Sequence, residues 1–235
     1  MEVRAVFFDL DGTLMDHQGA SDLAVVRLLT EYGHSGLGRE TVVSLWRTLE
    51  DEHMGRYLAG EASFSEQRRA RISGFFEYLG KRLSPEQSDE AFSIYLGFYE
   101  RGWKPFPDVA PGLDALGGIR KGLLTNGGPE QQRAKLEALG LVEHFETVVV
   151  SGEVGASKPS PTIFREACAR FHLEPSSCAY VGDRLETDAY AAREIGMLGV
   201  WLDSGRAMPG GFCPTDDRLL TINDLTELPK HLDQR

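Results

Sequence analysis

The 235-residue chain is 41% hydrophobic and 26% charged, a balance that excludes a disordered or fibrous protein. Its formal net charge of -11 sets it against a nucleic-acid backbone or an anionic membrane as main partner. The length accommodates one domain, or one domain with a sizeable insertion, rather than two domains in tandem.

The first element is the run VRAVFFD, residues 3–9, apolar and β-rich like a buried strand. Asp9 stands at its end and Asp11 two residues on, followed by Gly12. Asp-Gly is a common hairpin turn, but a hairpin needs a second strand, and the residues after Gly12 are polar and then helical in pattern. Two carboxylates this close disfavour joint ionisation unless a cation or a shared proton relieves them. The pair therefore points to a metal or to an acid/base couple.

No convincing strand occurs again until after residue 103. The segments LAVVRLLTEYG, ETVVSLWRTLEDEHMGRYLAG, SEQRRARISGFFEYLGKRL and SPEQSDEAFSIYLGFYERG read as four amphipathic helices. An α/β domain of residues 1–18 and 104–235 is thus expected, interrupted by a helical insertion of residues 19–103. Within it, Tyr57 and Phe64 read as core, and Arg68, Arg69 and Arg71 as a solvated face. Arg56 and Tyr57 also lie just before the Gly60 turn, where they either contact a ligand or pack the helix end. GFFEYLGK, residues 74–81, has one residue too many between its glycines for a P-loop and sits in a helical pattern.

After a linker-like stretch at 103–112 (WKPFPDVAPG), the texture changes to alternation. Strand-like runs at 119–125, 146–150, 178–182 and 198–202 are interleaved with helix-like segments at 129–139, 160–171 and 187–195. Ser160 followed by Pro161 is a helix cap with proline at the first position. This alternation predicts a doubly wound parallel sheet, a Rossmann-like α/β core, whose strand ends line a ligand crevice. Thr125-Asn126-Gly127-Gly128 comes after the second strand, Lys158 after the third, and Asp183 and Asp188 after the fourth. Each has an ordinary explanation alone: a turn, a solvated lysine, acids matching a helix dipole. Together they fall at the ends of four strands expected to share one crevice. Asp9, Asp11 and Asp183 are hard oxygen ligands suited to Mg²⁺, while Thr125, the glycine-rich turn and Lys158 would hold phosphoryl oxygens.

The set Asp9-Leu10-Asp11-Gly12-Thr13, Thr125-Asn126, Lys158 and Gly182-Asp183 through Asp188 resembles the four motifs of the haloacid dehalogenase-like (HAD) hydrolases, in their magnesium-dependent phosphatase branch. The resemblance covers residues 3–202. It implies that Asp9 is the nucleophile and Asp11 the general acid/base. Mg²⁺ would be held by Asp9, Asp11 (through its main-chain carbonyl) and Asp183, with Asp188 supporting the metal. Thr125, Asn126, Gly127 and Lys158 would bind phosphate, and the helical insertion would be a cap with Arg56 and Tyr57 among its specificity residues. YLAGEASFSEQRRARI and VGDRLETD look most like the subgroup of nucleoside monophosphate phosphatases and N-acylneuraminate-9-phosphatase-like enzymes. Dehalogenases of the family lack the second aspartate, so Asp11 argues against carbon–halogen chemistry.

The expectation is a phosphatase for small phosphorylated metabolites of the sugar phosphate or nucleoside monophosphate class. A phosphomutase on the same core, or a non-catalytic phosphometabolite-binding regulator, is the alternative. Cys168, Cys178 and Cys213 have no metal spacing and no disulfide pattern. No signal-like start or membrane-length apolar run is evident, so a cytoplasmic location is expected; oligomeric state is not legible.

Overall fold

The computed structural model describes residues 2–34, 36–205 and 219–232. In chain order it holds β1 (Ala5–Phe8), α1 (His17–Glu31), α2 (Arg39–Leu58), α3 (Phe64–Tyr78), α4 (Pro85–Glu100), α5 (Val109–Ala115), β2 (Arg120–Thr125), α6 (Pro129–Ala138), β3 (Thr147–Val150) and α7 (Ser151–Val154). Then come α8 (Pro161–Arg170), β4 (Cys178–Gly182), a π-wound turn (Leu185–Tyr190), α9 (Ala191–Glu194), β5 (Leu198–Leu202), β6 (Leu220–Ile222) and α10 (Leu228–Leu232). The chain divides into two compact units, Met1–Asp16 with Lys104–Arg235, and His17–Trp103.

Among the described residues, the first unit holds a six-stranded sheet in the order β3-β2-β1-β4-β5-β6, with every pairing parallel. Both faces of its centre are buried, as the uninterrupted apolar run of β1 requires. Ala5 and Phe7 pack with Ile163, Phe164, Ala167 and Phe171 of the α8 region, while Phe8 meets the Phe145 ring edge-on. Cys168 and Cys178 are free thiols in that same core, and Cys213 lies outside the described residues.

Within this first unit, three features depart from the sequence reading. The linker-like 103–112 contains the start of α5; Pro111 is tolerated because the first turn of a helix leaves its N–H groups unbonded in any case. The last long helix begins earlier than residue 187, as the π turn: the Asp188 side chain accepts from the Arg184 N–H at 3.0 Å and closes it. β6 is a three-residue strand at the sheet end, too short for any alternation to register.

The second unit is the four helices α1–α4, packed around Trp46, Phe75, Phe76 and Tyr95. Capping boxes at Ser63 and Ser84 start α3 and α4. The expectation of a solvated arginine face fails for Arg71, which is 5% exposed and ion-paired with Glu50, its guanidinium 4.9 Å from the Trp46 ring. Arg71 falls on the face of α3 that packs into the bundle with Ile72, Phe75 and Phe76, and Glu50 supplies the partner that makes burial of the charge tolerable. Arg69 is exposed and bonded to Asp89, and Arg68 is half-buried over the Phe64 ring at 4.3 Å. Tyr57 and Phe64 are half-buried, 5.2 Å apart, rather than fully core. Among the described residues, no helix is long and apolar enough to cross a membrane.

Candidate active site

Because β1 lies between β2 and β4, the segments leaving the carboxyl ends of these three strands meet at the point where the chain order reverses, the usual ligand position of such sheets. Asp9 extends the ladder by one bond, its N–H donating to the Val181 carbonyl at 2.9 Å, and its carboxylate is buried. Asp183, just past β4, is fixed from the loop after β1: its N–H donates to Thr13 Oγ1 at 3.1 Å. Asp9, Asp183 and Asp188 can each offer an oxygen within 4.8 Å of the others.

Lys158 enters this group from beyond β3, 5% exposed. Its ammonium lies 2.8 Å from Asp9 Oδ1 and 2.7 Å from Asp188 Oδ1, and donates to Tyr180 Oη at 2.7 Å. Asn126 brackets its main chain, accepting the Lys158 N–H at 2.9 Å and donating to its carbonyl at 3.1 Å. The Gly127 N–H donates to Ser151 Oγ at 2.9 Å. Asn126 and Gly127, expected at the phosphate, thus have these groups committed within the protein, and each acts on the site through what it holds. Thr125 is buried, its hydroxyl accepting from Gln132 at 2.8 Å.

The Asp11 carboxylate turns toward α6. Lys135 Nζ reaches its two oxygens at 2.8 and 2.7 Å, and Gln132 Nε2 donates to Oδ2 at 3.0 Å. Asp11 therefore stands outside the three-carboxylate group. Sequence reasoning missed Gln132, Lys135 and Tyr180, and it placed Thr13 in the first motif without giving it the bond to Asp183. The only signal for Gln132 and Lys135 was the i, i+3 spacing of two polar residues on the helix after the glycine-rich turn, and a helical lysine usually reads as surface.

Three buried carboxylates face one buried ammonium, and the electrostatics reflect that imbalance. Burial pushes the Asp9 carboxyl up to about 7; Lys158 opposes this, and Asp188 and Asp183 add to it. Asp183 is pushed up to about 6, by burial and then by Asp188. For Lys158 the desolvation of the ammonium is outweighed by Asp188 and Asp9, so it keeps its proton firmly. An all-oxygen, excess-negative, buried group of this kind fits a hard divalent cation. In the helical unit, Arg56 is half-exposed and 3.7 Å from Glu61.

Comparison with known proteins decides the family: the haloacid dehalogenase-like hydrolase model matches residues 3–196. The chain belongs to the haloacid dehalogenase-like hydrolases. It is 31% identical to human N-acylneuraminate-9-phosphatase, covering 97% of this chain and 92% of the relative. It is 32% identical to the glyceraldehyde 3-phosphate phosphatase of Methanopyrus kandleri, over 87% and 85% of the two chains. A magnesium-bound HAD hydrolase of Bacillus subtilis superposes with a TM-score of 0.81 at 20% identity, covering 99% of this hydrolase and 100% of that chain, and so shares its fold.

Proposed function

We propose that this HAD-like hydrolase is a Mg²⁺-dependent phosphatase of small phosphorylated metabolites, of the sugar phosphate or nucleoside monophosphate class, working through an aspartyl-phosphate on Asp9. The observation that carries the reading is the buried Asp9 carboxylate, held 2.8 Å from Lys158 Nζ within a three-aspartate group. Relatives named as phosphatases and matched over most of both chains support it.

Asp9 and Asp183, with the Asp11 carbonyl and with Asp188 in support, would hold Mg²⁺, which when bound neutralises phosphoryl and carboxylate charge. Lys158 fixes the Asp9 carboxylate and adds a positive charge where the phosphoryl oxygens arrive. Asp9 attacks phosphorus in line as the bond to the leaving oxygen breaks, and Asp11 gives that oxygen a proton. Water then attacks the aspartyl-phosphate, returning a proton to Asp11 and freeing Asp9 and inorganic phosphate. Thr125 is assigned to phosphoryl oxygens, and Arg56 and Tyr57 of the helical unit to the leaving group.

Two measurements test this. Phosphate release from a panel of phosphorylated metabolites with Mg²⁺ should be substantial for at least one; transfer to a second hydroxyl with little free phosphate would instead identify a mutase. Acid-quenched enzyme should carry phosphate on Asp9, and Asp9→Asn should lose both the adduct and turnover. Normal turnover by Asp9→Asn would exclude covalent catalysis at this residue.

A further inference from the structure

We propose that Lys135 and Gln132, on one face of α6, are positioning residues that orient the Asp11 carboxylate for its proton transfers. The inference rests on the reading of Asp11 as the acid/base group and adds what that reading lacks, a reason for the carboxylate to point one way.

Two lysines are buried among the described residues, Lys158 and Lys135. Burying an ammonium is costly unless a carboxylate meets it, and a lysine on a helix can normally extend its head to water. Lys135 does not: it is 3% exposed and directed onto Asp11. Each buried lysine thus serves one of the two aspartates of the first motif, Lys158 the nucleophile and Lys135 its neighbour.

The contact is of an orienting kind. Lys135 meets both Asp11 oxygens, at 2.8 and 2.7 Å, and Gln132 adds a donor on Oδ2 at 3.0 Å, so rotation about the side-chain bonds would break bonds on both edges. Gln132 Nε2 is also 2.8 Å from Thr125 Oγ1 and 3.2 Å from the Asn126 carbonyl. One side chain therefore ties Asp11 to the turn after β2. β1 sets where Asp11 is, and α6 sets where its carboxylate points.

In the proton balance, Lys135 keeps its own proton throughout. The Asp11 proton passes to the leaving oxygen as that oxygen's bond to phosphorus breaks and the Asp9 bond forms. The proton from water passes back as the aspartyl-phosphate bond breaks and the new bond from water oxygen to phosphorus forms. Misorientation of Asp11 should hurt a substrate that needs the proton, and spare one whose leaving group departs as a stable anion.

The test compares 4-nitrobenzyl phosphate, a poor leaving group, with 4-nitrophenyl phosphate, a good one of similar shape, in single turnovers of the Mg²⁺-loaded full chain. Lys135→Met should slow phosphoenzyme formation from the benzyl ester by about 10- to 100-fold and from the phenyl ester by less than about threefold, with Lys135→Arg regaining part of the difference. Equal slowing of the two esters, or none, in a protein with wild-type circular dichroism would overturn the proposal, because a purely structural ion pair cannot distinguish leaving groups. Should Lys135→Met fail to fold, Gln132→Ala carries the same comparison with an expected split of about fivefold, and no split overturns the proposal. Failure of the wild type to form any phosphoenzyme would strike at the underlying phosphatase reading and is distinguishable from either result.

Discussion

Asp9 shows how a single residue is set by its surroundings. Its ordinary value of 3.8 is raised to about 7, chiefly by burial, with Lys158 offsetting part and Asp188 and Asp183 adding to it. Between these values the native carboxyl keeps a proton that the unfolded chain has released, so the unfolded state binds fewer protons and stability falls as pH rises. For the metal-free protein, the melting temperature is expected to fall from about pH 4 to about pH 7 through this group, then level off. Asp9→Asn should flatten that part of the profile, as thermal melts in EDTA across this range would show. A profile equally steep in the variant would mean that Asp9 is not the titrating group.

Among the elements, the helical insert carries the clearest energetic commitment. Arg71 and Ser21 of its interior converge on Glu50, and His17 Nε2 lies 3.6 Å away. Burial would raise the Glu50 carboxyl, but Arg71 and His17 hold it well below the usual carboxylate range. Removing one partner of such a pair leaves a buried charge without compensation, so Arg71→Ala should cost about 3–5 kcal/mol of stability by denaturant titration. The double variant Glu50→Gln/Arg71→Met should recover much of that loss; equal losses in the two would show that packing of the guanidinium among the rings matters more than its charge. In the other unit, strand β4 depends on a missing side chain. A Cβ on Gly182 would collide with the Asp188 carboxylate, so Gly182→Ala should displace Asp188 from Lys158 and lower kcat by at least about tenfold. Retention of kcat in this variant would show that the Asp188–Lys158 contact is dispensable.

At the scale of the whole molecule, activity is expected to require the metal. EDTA should abolish phosphate release and Mg²⁺ restore it, while raising the melting temperature by relieving the excess of buried negative charge. Turnover undiminished in metal-free buffer would reject the site as a cation centre. If the helical unit reads the leaving group, Arg56→Ala should lower kcat/KM for the preferred metabolite by about one to two orders of magnitude, roughly 1.4–3 kcal/mol for a lost charged contact. Hydrolysis of 4-nitrophenyl phosphate should change little. Equal losses on both substrates would indicate a folding defect, and no loss on either would place Arg56 outside recognition.

The alternation of apolar runs with polar helices determined the parallel α/β sheet, because a strand buried on both faces must be continuously apolar and a helix covering it must be amphipathic. Local chemistry of this kind also placed the Ser160 cap and the four helices of the insert. It marked Asp9, Thr125, Lys158 and Asp183, since each falls at or beyond the carboxyl end of a strand in a crevice that the sheet topology defines. Short or edge elements, α5 and β6, left no periodic trace. What tertiary structure alone decided is the partnership of charges far apart in the chain: Lys135 with Asp11, Arg71 with Glu50, and Lys158 between Asp9 and Asp188. A lysine or arginine on a helix carries the same letters whether it meets water or a buried carboxylate. Only packing that removes the water makes the carboxylate its partner.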